Sequence, residues 1–191
     1  MTKKIISIIQ ARIGSSRLPQ KVLKKIGDKT MLEHVINQAN HSKLIDDIIV
    51  ATTDSKLDDK IEKFCRQHNQ KCFRGSENDV LDRYYQCAKS FSISTIVRIT
   101  CDNPLIDPTL IDDAIRKFND GDYDYVSNCK PRSFPQGTEV EVFSFDALEK
   151  AWNEAHKDSE REHVTPYFYN NPSRFRIFNI TNRNDISNLR W

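Results

Sequence analysis

The sequence predicts an α/β fold in which a mostly parallel sheet carries helices on both faces. Two observations carry the prediction. Short apolar runs alternate with segments of helical spacing along most of the chain, and polar clusters recur just after the apolar runs. The 191 residues suit a single domain with a sizeable core.

The elements follow in order. Ile5–Ile9 is a nearly continuous apolar run, the pattern of a strand buried on both faces. Met31, Leu32, Val35, Ile36 and Ala39 repeat at helical spacing. Ile48–Thr53 reads as a strand, Leu57, Ile61, Phe64 and Cys65 as a helix face, and Lys71–Arg74 as a short strand. Val80, Leu81, Tyr84, Ala88 and Phe91 form the next helix, with Ser76 as its expected N-cap and Asp79 three residues on. Thr95–Thr100 is a strand. Leu110, Ile111, Ala114, Ile115 and Phe118 form a helix behind Asp107 and Pro108, a cap and a first-turn residue. Tyr123–Ser127 closes the regular alternation. Beyond residue 128, Glu139–Phe143 alternates like a half-exposed strand, Ala147 to Ala155 like a helix, and Phe175–Ile180 like a strand. This part is expected to form a small lobe appended over the sheet edge.

Ligands of parallel sheets bind beyond the carboxyl ends of the strands. The Gln10–Lys21 loop, Thr52–Asp54, Arg74–Ser76 and Cys101–Asp102 all fall there. The net charge of +2 gives no reason to expect a nucleic acid or a membrane as partner. Positive charge is instead local: residues 1–27 hold seven Lys/Arg and no acid. Those arginines sit in a Gly/Ser/Pro loop instead of an amphipathic helix, which argues against a transit peptide, and no run is long enough for a signal or membrane segment. Five scattered cysteines without a CxxC pair read as reduced thiols, and the histidines lack metal-site spacing. A cytoplasmic protein is expected.

Gln10-Ala11-Arg12-Ile13-Gly14-Ser15-Ser16-Arg17-Leu18-Pro19-Gln20-Lys21, directly after the first strand, is neither a GKS/T phosphate loop nor a GxGxxG turn. It resembles the signature of the cytidylyltransferases that activate sugars, the group of the CMP-Kdo and CMP-sialic acid synthetases. The similarity is greatest to the spore coat polysaccharide biosynthesis cytidylyltransferase-like family. It continues through Val50-Ala51-Thr52-Thr53, Phe73–Tyr85, Val97–Pro108, Gly137–Phe143 and Glu160–Pro166, and ends at Leu189-Arg190-Trp191. The resemblance implies a three-layer nucleotide-diphospho-sugar transferase fold (GT-A/Rossmann-like). Its reaction is Mg²⁺-dependent: CTP and a sugar give a CMP-sugar and pyrophosphate for cell-surface polysaccharide synthesis.

The resemblance assigns roles. Arg12, Arg17 and Lys21 would act on the triphosphate, with Lys21 near the α-phosphate and Ala11, Gly14 and Ser15 wrapping it. A solvated basic turn is the plain alternative. Asp102 would bind Mg²⁺; read alone, an Asp beside Pro104 serves equally as a turn residue. Cys101 stands where Gly is common in the family, which calls for a permissive backbone there or a slightly different turn. Thr52, Thr53, Arg74, Ser76 and Thr100 would read the base, braced by Asp82 and Arg83, although Arg83 also suits a surface pair with Asp79. Gln136, Glu139, Glu141, Arg161 and His163 would meet the sugar; otherwise Glu139 and Glu141 belong on a strand's solvent face.

Family members continue past Leu-Arg-Trp into a segment that supplies a second metal carboxylate. The chain is therefore expected to lack a C-terminal segment, and the apolar surface left there invites a homodimer. Two other readings remain: a nucleotidyltransferase using another NTP and a sugar 1-phosphate, and a non-catalytic nucleotide-binding module.

Overall fold

A computed structural model describes residues 4–14 and 18–190. Seven strands form one sheet and two form a small hairpin. In chain order the strands are β1 (Ile5–Gln10), β2 (Lys25–Ile26), β3 (Lys29–Thr30), β4 (Asp47–Thr53), β5 (Lys71–Gly75), β6 (Thr95–Thr100), β7 (Tyr125–Ser127), β8 (Glu141–Ser144) and β9 (Ile177–Asn179). The helices are α1 (Met31–Asn40), α2 (Asp59–Gln67), α3 (Val80–Ser90), α4 (Pro108–Asp120), α5 (Phe145–Glu154), α6 (Asp158–His163) and α7 (Pro166–Asn170).

The sheet order is β5-β4-β1-β6-β8-β7-β9. Only β8 runs against its neighbours. β1 lies inside, between β4 and β6, so its side chains are covered twice. Ile6 and Ile8 point into one core layer with α3, α5 and α7, and Ile9 into the other with α1, α2 and α4. This is the three-layer arrangement that the continuous apolar run implies.

Helix starts are specified locally. Thr30 and Glu33 form a capping box on α1. Asp107 caps α4, where Pro108 takes the first helical position. On α3 the cap is Asp79, whose carboxylate accepts the Asp82 N–H at 2.8 Å. Ser76, the expected cap, accepts the Asp79 N–H one step earlier.

The segment beyond residue 128 departs from the expected lobe. It returns two strands to the sheet, and β8 slots between β6 and β7. β8 is therefore paired along both edges, its Val142 and Phe143 enter opposite core layers, and Glu141 is only 4% exposed. The register sets the strand ends level: Gln10 pairs with Ala51 and with Thr100, and Thr53 with Gly75. The loops that follow share one edge. No helix among the described residues is long and apolar enough to cross a membrane.

Candidate nucleotide and acceptor site

Three cavities merge at that edge into a trough. The largest, about 760 Å³, lies between the loop after β1 and the end of β6, lined by Gln10, Arg12, Lys21, Thr100 and Asp102 among others. A cavity of about 530 Å³ shares Lys21, Arg98, Thr100 and Asp102 with it and runs toward Gln136, Glu139 and Glu141. A smaller one, about 390 Å³, shares Gln10, Ala11 and Arg12 and runs toward Asn78 and Arg83. His163 lines all three. A further cavity of about 780 Å³ opens by Ser94, Thr95 and Asp124, at the opposite ends of the strands, and holds none of the site residues expected from the sequence.

Lys21 lies on a short 3₁₀ turn and faces Asp102 across the trough, Nζ to Oδ2 3.4 Å. Burial pushes the Asp102 carboxyl up, but a hydrogen bond from Thr100 and the Lys21 ammonium outweigh it, so the group sits below the ordinary 3.8. A carboxyl lowered by folding stabilises the folded state above its unfolded pKa, and that contribution disappears as the pH falls through the lower folded value. Carbon-13 titration of the Asp102 carboxyl is therefore expected to show a midpoint below 3.8 that rises in Thr100→Val. An unshifted midpoint in the native protein would refute the account.

Cys101 needs no special backbone. It is absent from the positive-φ residues. Its N–H extends the ladder to the Gln10 carbonyl at 3.2 Å, and its side chain packs in the core.

On the far side, Arg98 stands opposite Glu141 across β6 and β8 and pairs with it. Tyr125 donates to the second Glu141 oxygen at 2.6 Å. Glu139 accepts from Arg132, from Asn103 Nδ2 at 3.0 Å and from the Gly137 N–H at 3.0 Å. Both glutamates are thus fixed parts of the wall, not groups on a solvent face. His163 ends α6 just before Val164, a fully buried residue at φ 71°, ψ −59°. The Thr165 N–H bonds to the His163 carbonyl at 2.8 Å, closing a three-residue turn rarely tolerated by a β-branched residue. Such strain clusters at functional sites.

Several expected site residues are held elsewhere. Arg74 turns away from the trough. Its guanidinium donates to the Thr53 and Ser55 carbonyls and pairs with Asp59 and Glu62, so it ties β5 to the start of α2. Thr52 and Thr53 are fully buried, and the Thr53 hydroxyl is bound to Asp58. Ser76 is occupied at the start of α3. Arg161 is consumed by Asp79 and the Trp152 carbonyl, tying α6 to α3 and α5. Asp82 accepts from Trp152 Nε1 and Gln86. Ser15 and Arg17 lie outside the described residues. Arg12, Gly14, Lys21, Thr100, Asp102, Gln136, Glu139, Glu141 and His163 do line the merged cavities, as does Ala11.

The sequence reading passed over Arg98 and Asn78. An arginine inside the apolar Thr95–Thr100 run was the available signal, because a charge there needs a partner or a ligand. Arg83 makes no surface pair: it is 2% exposed, donates to the Ser76 carbonyl, and lines the smallest cavity.

Among the described residues no group of three or more His, Cys, Asp or Glu could hold a metal. Asp102 offers one half-exposed carboxylate at the cavity wall, which suits only an ion that takes its remaining ligands from a bound group and water.

The family model described as cytidylyltransferase matches residues 6–188. The spore coat polysaccharide biosynthesis protein SpsF of Bacillus subtilis is 37% identical over 180 residues, covering 91% of this chain and 73% of its own. A 3-deoxy-manno-octulosonate cytidylyltransferase of Leptospira interrogans is 40% identical over 114 residues, 59% of this chain and 45% of its own. Among solved structures, a cytidylyltransferase from Leptospira borgpetersenii superposes with a TM-score of 0.94 at 36% identity, covering 98% of this chain and 80% of that one.

Proposed function

The chain belongs to the cytidylyltransferase family, and from that premise we propose that it transfers CMP from CTP to a hydroxyl of a sugar destined for a surface polysaccharide. The relatives' names, one for spore coat polysaccharide and one for 3-deoxy-manno-octulosonate, support this substrate class. The observation that carries the reading is the trough itself: a cation-lined middle joins a small polar cavity on one side and a wider polar cavity on the other.

The middle takes the triphosphate. Arg12 and Lys21 neutralise its charge, and the backbone at Gly14 approaches it closely. The small cavity takes the base. Gln10 Oε1 and Arg83 Nε are buried there without partners, an acceptor and a donor that a base edge can satisfy. The wide cavity takes the sugar, with Gln136, Arg98 and His163 facing it. The sugar oxygen attacks the α-phosphorus, the bond to the β-phosphate bridging oxygen breaks, and pyrophosphate leaves with the electron pair while the hydroxyl proton passes to solvent. Lys21 stabilises the charge that develops on the α-phosphate. Asp102 would hold Mg²⁺, which supplies further neutralisation of the phosphates when bound.

Pyrophosphate release from CTP with a panel of sugar acids tests the reaction. CTP at a hundred times its Kd should also stabilise the fold by about 2.7 kcal/mol and raise Tm more than GTP, UTP or ATP. Silence with every NTP, or equal shifts for all four, would overturn the reading.

A further inference from the structure

We infer that Asp58 is a positioning residue that clamps the neck of the nucleotide loop, an inference that rests on the proposed nucleotide site. Asp58 ends the short 3₁₀ turn Lys56–Asp58 after β4 and is 2% exposed. Its Oδ1 accepts the Ile13 N–H at 2.7 Å, and its Oδ2 accepts the Thr53 hydroxyl. Among the described residues it makes no salt bridge, although its charge favours that of the buried Arg83 guanidinium. A buried carboxylate whose direct bonds, among the described residues, go to a loop amide and a hydroxyl is costly to keep and is retained where its bonds specify a geometry.

The geometry it specifies is the loop's closure. Ile13 donates to Asp58, while its carbonyl accepts the Gln20 N–H at 3.3 Å. Gln20 adopts φ 58°, and its side chain accepts from Lys60 on α2. The neck of the loop is thereby fastened at both backbone groups of Ile13, on the two peptide planes that flank its Cα, with the Ile13 side chain buried in the core. Arg12 and Gly14 flank that residue and line the trough. A small rotation of either peptide plane, Arg12–Ile13 or Ile13–Gly14, would swing its neighbour in the trough out of place. Asp58 does not line the trough, so it acts indirectly, through the Ile13 amide and through its charge on Arg83 of the small cavity, which the Asp58→Asn variant separates.

Two readouts test this. In the free protein the Ile13 amide should exchange slowly with solvent, and Asp58→Ala should release it. The same variant, measured well below its Tm, should bind CTP at least about tenfold more weakly, the expected loss for a bond to a charged acceptor. Asp58→Asn retains an acceptor for the Ile13 N–H and should restore most of both properties. A folded Asp58→Ala with native CTP affinity, or a native Ile13 amide that exchanges like a surface amide, would overturn the clamp. If Asp58→Ala does not fold, Thr53→Val, which frees the carboxylate from its second bond, must weaken CTP binding, and unchanged affinity there counts equally against the proposal. Should the native protein bind no CTP, the nucleotide reading fails, and amide exchange still decides whether Asp58 holds the loop.

Discussion

Replacing Lys21 by alanine is expected to lower kcat for nucleotidyl transfer by about two to three orders of magnitude, the range seen when one preorganised charge at the reacting centre is removed. The loss should fall on kcat more than on KM. In the proposed reaction Arg12 and the loop backbone would still hold the ground-state triphosphate, whereas the charge that grows on the α-phosphate would lose the cation assigned to it. The fold should not suffer. Lys21 and Asp102 have side chains 31% and 52% exposed, and an open pair of this kind contributes only about 0–1 kcal/mol. An inactive variant with an unchanged Tm is thus the expected result. Lys21→Arg keeps the charge but replaces a compact ammonium by a planar fork, and should recover only part of the rate. Steady-state kinetics of pyrophosphate release, with CTP varied against saturating sugar, reads the split. Full kcat in Lys21→Ala would remove this residue from the reaction.

The parallel half of the molecule was legible in the sequence because its strands obey one rule. A strand buried on both faces is mostly apolar on both, and Ile5–Ile9 and Thr95–Thr100 announce themselves by that pattern; the strands found there are Ile5–Gln10 and Thr95–Thr100. The loop after β1 was legible for the complementary reason, since an apolar run that ends in Arg, Gly and Lys exposes cations at a strand end. β8 was not legible. Its alternation resembles a half-exposed strand, and only tertiary pairing with β6 and β7 buries Glu141 and supplies Arg98 as its counter-charge. Arg74 and Arg161 failed for a related reason. Both stand beside site residues in sequence, but each finds carboxylates and carbonyls on neighbouring elements first. Sequence position sets which edge of the sheet a residue approaches. It does not say whether the side chain turns to the cavity or back to the scaffold.

The pairing of Arg98 with Glu141 makes the second large prediction, on stability. The two side chains are 12% and 5% exposed and stand directly opposite across β6 and β8. Burial works against the Arg98 charge, but Glu141 beside it more than offsets this and holds the guanidinium protonated; burial, reinforced by Glu141, likewise holds the Tyr125 phenol protonated as a donor. Removing one member leaves a buried charge with nothing opposite it. Glu141→Ala is therefore expected to cost about 3–5 kcal/mol in urea unfolding, with Glu141→Gln, which keeps acceptor and shape, costing less. The decisive comparison is the combined replacement of Arg98 by Met, Glu141 by Leu and Tyr125 by Phe. It removes both charges and the orphaned hydroxyl together, so it should recover most of the lost stability, because apolar residues of similar volume substitute well for a buried pair. Arg98 also forms the floor shared by the two larger cavities. The recovered variant should therefore be folded and yet impaired in sugar turnover, which separates the pair's hold on β8 from its place under the acceptor. A Glu141→Ala protein that unfolds at the native urea midpoint with an unchanged m-value would mean that the charges reach water, and that β8 is held by backbone pairing alone.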